Sequence, residues 1–254
     1  MSQLSVNNLS LALAFALVLV AVYISNREKL GLTKDIFYSI SRAIVQLVIV
    51  GYILKYIFNV NNVILTAAMS FFIVLNAAYN AHKRNPNDHK SYFNSLLAIF
   101  VSTYVTMGVL VDSGSIRFIP SQIVPISGMI ASNSMVAIGL CYRNLNTLFK
   151  NQRQQVLEKL ALGASMKQAS LPLLHASIKT AMQPTIDSAK TVGLVSLPGM
   201  MSGLIFAGVD PVRAIKYQIM VTFMLLSATS LGSIIAGYRT YKDYYNEKLQ
   251  LRVK

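Results

Sequence analysis

The chain has 254 residues, 54% of them hydrophobic and 13% charged, with a mean hydropathy of +0.51. A soluble domain carries roughly a quarter charged residues, so this is an integral membrane protein. The formal charge is +14, from 23 Lys and Arg against 9 Asp and Glu, but the basic residues sit in loops between apolar runs, which points to lipid headgroups and the orientation rule rather than to nucleic acid.

A membrane-crossing helix needs about 20 mostly apolar residues. Met1–Ser10 contains no Lys or Arg, and no clear cleavage site follows Val22. The first apolar run is therefore expected to be a retained helix rather than a signal peptide. Spans are predicted at about 6–25, 36–58, 63–81, 92–112, 119–142, 191–209 and 214–238, seven in all. The connections at 59–62 and 208–211 are short enough to be tight turns. One set of loops holds Arg27, Lys29, Lys34, Lys83, Arg84, the stretch from Arg143 to Lys190 and the tail from Arg239. The other set holds little beyond Arg117, Arg213 and Lys216. This asymmetry places the N-terminus outside and the C-terminus in the cytoplasm. The tail YRTYKDYYNEKLQLRVK reads as a charged, solvated helix end.

The one long polar interruption, about residues 143–190, is expected to be a cytoplasmic loop. Val156, Leu157, Leu160, Ala161 and Ala164 share one helical face. Gly163-Ala164-Ser165 breaks that run, and Ser165 with Gln168 has the spacing of a capping box that starts a new short helix. Pro172 and Pro184 each suit a further first turn. The expectation is a series of short helices along the membrane surface, with the Gly163–Ala164 turn small enough for a partner's cleft. An ordinary amphipathic loop is the other reading.

No glycine-rich loop ending in Gly-Lys-Ser/Thr is present, so the chain has no such means of holding ATP phosphates. The nine acidic residues, Asp187 among them, fall in loops or at expected helix ends, and no carboxylate pair lies within a predicted span. His82 and His89 share a loop whose Lys and Arg residues would repel a metal ion. No Ser/His/Asp arrangement is readable, and the chain is not expected to be an enzyme. Polar groups within spans either tie helices together or serve function. Arg42 and Gln46 lie a turn apart in the second span, Asn76 and Asn80 in the third, and Asn133 sits mid-way along the fifth. Leu197-Pro198-Gly199-Met200-Met201-Ser202-Gly203 should kink the sixth span, and a broken helix at that depth can line a cavity. Met200 and Met201 are the candidate metal contacts, as soft thioether ligands, with core packing as the alternative. Arg42, Gln46, Asn133, Pro198, Met200 and Met201 are the candidate substrate-pathway residues.

The run TVGLVSLPGMM, followed by AGVDPVRAIKYQI, resembles the iron-export permease family of bacterial ABC transporters, the FetB/YbbM type, whose plant relatives are linked to aluminium tolerance. Arg42-Ala-Ile-Val-Gln46-Leu and Leu162-Gly163-Ala164 agree with it, and the resemblance covers nearly the whole chain. It implies an all-α polytopic membrane protein, with residues 1–254 forming one permease domain in the cell membrane. Its coupling segment, at about 143–190, would dock on a separate cytosolic ATPase subunit through Leu160, Leu162, Gly163, Ala164 and Ser165. It further implies a homodimer in contact with lipid, no cofactor in this chain, and ATP and Mg bound by the ATPase. The general importer-type motif of Glu-Ala-Ala, three residues, then Gly is not matched: Glu158 stands five before Gly163, and Lys159-Leu160 replace the alanines. The implied function is export of a metal ion such as iron. Another solute, such as a nucleotide sugar, or a non-transporting membrane scaffold, is the alternative.

Overall fold

The computed structural model describes residues 7–60, 62–85, 91–246, 248 and 250–252; His89 lies outside them. The described chain is α-helical, as expected, with only two isolated β-bridges. It forms two compact units, divided after Val60.

The first unit holds α1 (Asn8–Ala14), α2 (Ala16–Arg27) and α3 (Thr33–Val60). Leu9–Arg27 and Thr33–Phe58 are each long and apolar enough to cross a membrane. The turn between them is fixed at the start of α3, where the Thr33 hydroxyl donates to Asn26 Oδ1 at 2.9 Å. Nearly all of α3 is exposed, including Leu47, Tyr52 and Tyr56.

The second unit is a bundle of α4 (Val63–His82), α5 (Ser91–Asp112), α6 (Pro120–Asn151), α8 (Met166–Thr191) and α10 (Pro211–Thr240), with short α7 (Arg153–Ala161) and α9 (Gly199–Phe206) between the long helices. α4 starts where Asn62 caps it, its side-chain oxygen accepting from the Ile64 and Leu65 amides. Small residues let the helices approach closely: Ala77, Ala78 and Ala81 of α4 pack with Ala98 of α5, Ala131 of α6 and Ala236 of α10. Hydroxyls tie the same helices together. Ser102 donates to Ser134 at 3.2 Å, Ser134 donates to the Ala228 carbonyl at 3.3 Å, and Ser95 pairs with the Tyr142 hydroxyl at 3.0 Å. Asn76 and Asn80 do not share this work, because Asn80 donates back to Asn76 within α4.

Three expectations change. The predicted span at 191–209 is not a spanning helix: among the described residues six helices are long and apolar enough to cross, and Gly199–Phe206 is an eight-residue piece. Gly193, Pro198, Gly199 and Gly203 leave too little helix propensity in so short a run. Pro172 and Pro184 do not start new helices but lie inside α8. Both are exposed, as are Gln168 and Thr180 one turn earlier, so the carbonyls deprived of a donor reach outward instead of being buried. Among the described residues the tail is only partly solvated: Lys242, Lys248, Gln250 and Arg252 are exposed, but Tyr244 and Tyr245 are buried. Tyr244 stacks on Phe149 of α6 with ring centroids 4.2 Å apart, and the Tyr245 hydroxyl lies 2.6 Å from Ser170 of α8. Burial raises the Tyr245 phenol's pKa, and the Ser170 bond opposes that rise.

α8 approaches α10 closely at Gly237. A Cβ there would stand 2.8 Å from Leu174 and 3.3 Å from Ile178, both on α8, and 3.4 Å from Cys141 of α6. Gly237→Val is expected to push α8 off α10 and to cost about 1–3 kcal/mol, measured as a lower Tm of the detergent-solubilised protein. An unchanged Tm would mean this three-helix contact is loose.

Candidate functional site

The end of the bundle that gathers Arg84, Arg143, Lys150, Arg153, Lys159, Lys167 and Lys242 carries a projecting corner. Arg84 lies with its side chain across Gly139 of α6, and burial together with the neighbouring Arg143 charge lowers its pKa. Beyond it α6 continues to Asn151, past its expected end at 142. Leu145 and Phe149, on the turns after Cys141 and Tyr142, remain fully buried against Leu173, Leu174 and the tail tyrosines. α7 then docks by Val156, only 1% exposed, with Leu157 and Leu160 packed alongside.

α7 ends in a closed turn. Ala164 N–H donates to the Lys159 carbonyl and Gly163 N–H to the Leu160 carbonyl, each at 3.0 Å, which is the Schellman pattern. Gly163 has φ +88°, with open space where a Cβ would go; backbone conformation rather than crowding calls for glycine here. Ser165 then opens α8 with the capping box expected from the sequence, accepting from the Gln168 amide while the Gln168 side chain accepts from the Ser165 amide. The predicted coupling residues therefore divide. Leu160 faces inward, Ala164 is half-buried, and Leu162, Gly163 and Ser165 are exposed. Leu162 is 89% exposed at the tip of a basic corner.

The second feature is the break between α8 and α9. α8 runs unbroken for 26 residues, about 39 Å. The Thr191 carbonyl accepts from the amides of Leu194 and Val195, Gly193 at φ +85° turns the chain, and its amide donates to the Ser196 carbonyl. Pro198 then stands as the N-cap of α9. Met201 is buried, and Met200 packs against the apolar cluster containing Met107, Ile123, Val221 and Met224. Among the described residues no group of three or more His, Cys, Asp or Glu side chains is placed to hold a metal.

Asn133 of α6 donates to the Met129 carbonyl of its own helix and stays half-buried. Arg42 and Gln46 are exposed on α3 in the first unit. Sequence reasoning did not join the polar side of α8 into one stripe, because it divided the segment into short helices with a break at Pro184. The signal is the four-residue spacing of His175, Lys179, Gln183 and Asp187, one helical stripe. Gln183 donates to both Asp187 oxygens at 2.9 and 3.0 Å, and Lys190 pairs with Asp187 at 3.2 Å. Across from this stripe, Asn144 of α6 donates to the Thr180 hydroxyl at 3.2 Å.

A family model described as an uncharacterised protein family, UPF0014, matches residues 8–245. This chain belongs to that family. The UPF0014 relatives include the "Probable iron export permease protein FetB" of Escherichia coli (strain K12), 59% identical over all of this chain and 98% of that one. The UPF0014 membrane protein YjkA of Bacillus subtilis is 35% identical, over 96% of this chain and 98% of its own. The plant protein ALUMINUM SENSITIVE 3 of Arabidopsis thaliana is 35% identical, over 95% and 88%. No solved structure gives a significant match. As a UPF0014 member with six apolar helices of spanning length among the described residues, the chain is a multi-pass membrane protein.

The surroundings of the two methionines favour packing as their role. Met200→Leu combined with Met201→Leu conserves volume and is expected to cost less than about 1.5 kcal/mol per position. Tm in detergent should fall only slightly; a large fall would count against simple packing.

Proposed function

We propose that this chain is the permease subunit of an ABC transporter that exports iron, working as a homodimer with a separate cytosolic ATPase that binds ATP and Mg. The observation that carries this reading is the corner α7–Gly163–α8. It presents a bare leucine on a basic, doubly hydrogen-bonded turn, in a chain with no phosphate-binding loop of its own. An exposed apolar tip on a preorganised turn suits a partner's cleft, because little ordering entropy remains to be lost on docking. The export of iron is supported by the name of the 59%-identical relative.

In this reading the basic end faces the cytoplasm, following the loop charges, and all 254 residues serve one permease domain. ATP binding in the ATPase moves the corner, and α8 transmits that movement as one rigid body. Its far end is the break before α9, so a shift at the corner changes access at the break. The bistable element is the α8–α9 joint, where Gly193 and Pro198 free the chain from helical geometry.

Leu162→Glu is expected to abolish co-purification of the ATPase and ATP-driven transport, while insertion and Tm stay unchanged because the side chain touches little of its own chain. Retained co-purification would remove the corner from the coupling role. The orientation has its own test. Cysteines placed singly at Ser115 and Leu162, both exposed, should react with an impermeant maleimide from opposite sides, Ser115 in intact cells and Leu162 only after permeabilisation. The native Cys141 is buried and should stay silent. Labelling of both from one side would overturn the orientation.

A further inference from the structure

Two arginines at the basic end of the bundle stand side by side without a carboxylate between them. Arg84 lies two residues past α4, whose 20 residues extend about 30 Å, the thickness of the hydrocarbon layer. The end of α4 is therefore at headgroup level. The side chains around it agree. Tyr79 and Phe93 are exposed, Lys83 Nζ stands 4.5 Å from the Tyr79 ring centroid, and the Arg239 guanidinium stands 5.7 Å from that of Phe93. Rings mixed with cations in this way mark a membrane interface.

Arg84 is held in place there. Its side chain lies in a seat that glycine alone leaves open: a Cβ on Gly139 of α6 would stand 2.6 Å from Arg84 Cδ and 3.4 Å from its Nη1. Arg143 is one turn further along the same face of α6. Burial first, and then the Arg143 charge, lower the Arg84 pKa. Two guanidinium groups are thus kept together where α4 meets α6, and among the described residues neither forms an ion pair. Arg239, at the same end, shows the contrast. It donates to Asn94 Oδ1 at 3.0 Å, and Asn94 donates on to Asp243 at 3.2 Å. That arginine is satisfied within the chain, whereas the Arg84–Arg143 pair repels itself and lacks an anion.

We propose that Arg84 and Arg143 bind the phosphate of an anionic phospholipid headgroup, on the α4–α6 contact at Gly139. A guanidinium fork matches phosphate oxygens, and basic sites between membrane helices take such headgroups. Phosphatidylglycerol suits the pair better than phosphatidylcholine, whose own quaternary ammonium would be brought against two more positive charges. The bound lipid would fasten the end of α4 to α6.

The test titrates the full-length permease in detergent with phosphatidylglycerol, read by native mass spectrometry, with phosphatidylcholine and inorganic phosphate as comparisons. Wild type should bind phosphatidylglycerol the most tightly of the three. Arg84→Gln, and Arg143→Gln at an exposed position that the fold does not need, should each weaken that binding about tenfold or more, the loss of one charge-assisted contact. Gly139→Ala removes no charge but fills the seat, and should weaken binding as well. Lys150→Gln removes the same charge about 10 Å beyond Arg143 along α6, and should change binding less than about twofold. Equal losses in Lys150→Gln and Arg143→Gln would reduce the site to general surface charge and overturn the proposal. Wild-type binding in both arginine variants, or inorganic phosphate bound as tightly as the lipid, would overturn it too. Asp88, outside the described residues, is the acidic residue nearest to Arg84 in sequence. Phosphatidylglycerol binding about tenfold tighter in Asp88→Asn would assign the counter-charge to the chain itself and overturn the lipid as its source.

Discussion

The fold depends on a helix being held in the bundle without the usual hydrophobic reason. α8 is long enough to reach deep into a membrane but is absent from the six helices apolar enough to cross one. What secures it is close contact: Leu174 and Ile178 lie against the bare backbone of Gly237, beside Cys141 of α6. Within a membrane, packing of this kind replaces the driving force that water gives a soluble core. The arrangement settles which side of α8 is which. Leu173, Leu174, Ser177 and Ala181 are turned inward, so His175, Lys179, Gln183 and Asp187 are turned out of the bundle.

Continuity is the second consequence. Two prolines inside one helix ordinarily suggest two hinges. Both stand on the open side of α8, and the inward side makes its contacts uninterrupted. The departures from helical geometry lie instead at the two ends, each with a glycine in the left-handed region, Gly163 and Gly193. A continuous helix between two such turns carries displacement without absorbing it. The tail strengthens the lower joint, since Tyr244 and Tyr245 clamp α8 to the extension of α6.

Much of this was legible in the sequence, and what was missed has common causes. Five of the predicted spans match apolar helices of spanning length because each carries its own hydrophobic run; so does the first, which the chain forms as α1 and α2. The Ser165–Gln168 box was legible because capping is a local interaction read at fixed spacing. The sixth span misled because hydropathy counts apolar side chains and ignores backbone preference, and residues 191–209 are apolar yet rich in glycine around a proline. α8 was misread in the opposite sense. Its polarity imitates a loop, and only tertiary contact with Gly237 shows it to be part of the bundle. The tail's charges concealed two tyrosines, Tyr244 and Tyr245, whose partners, Phe149 and Ser170, are distant in sequence.

α6 is, with α10, one of the two longest helices of the bundle. Its 32 residues extend about 48 Å, against a hydrocarbon layer of about 30 Å. Some 18 Å of helix is therefore left over between its two ends, and the buried pairing of Leu145 and Phe149 with the tail holds the C-terminal part within the bundle. The corner at Gly163 is thus mounted on a pedestal. A soluble protein engaging it would work clear of the lipid surface, with its own basic and acidic residues free of headgroup competition, and the membrane would feel the engagement only through the two helices that form the stalk.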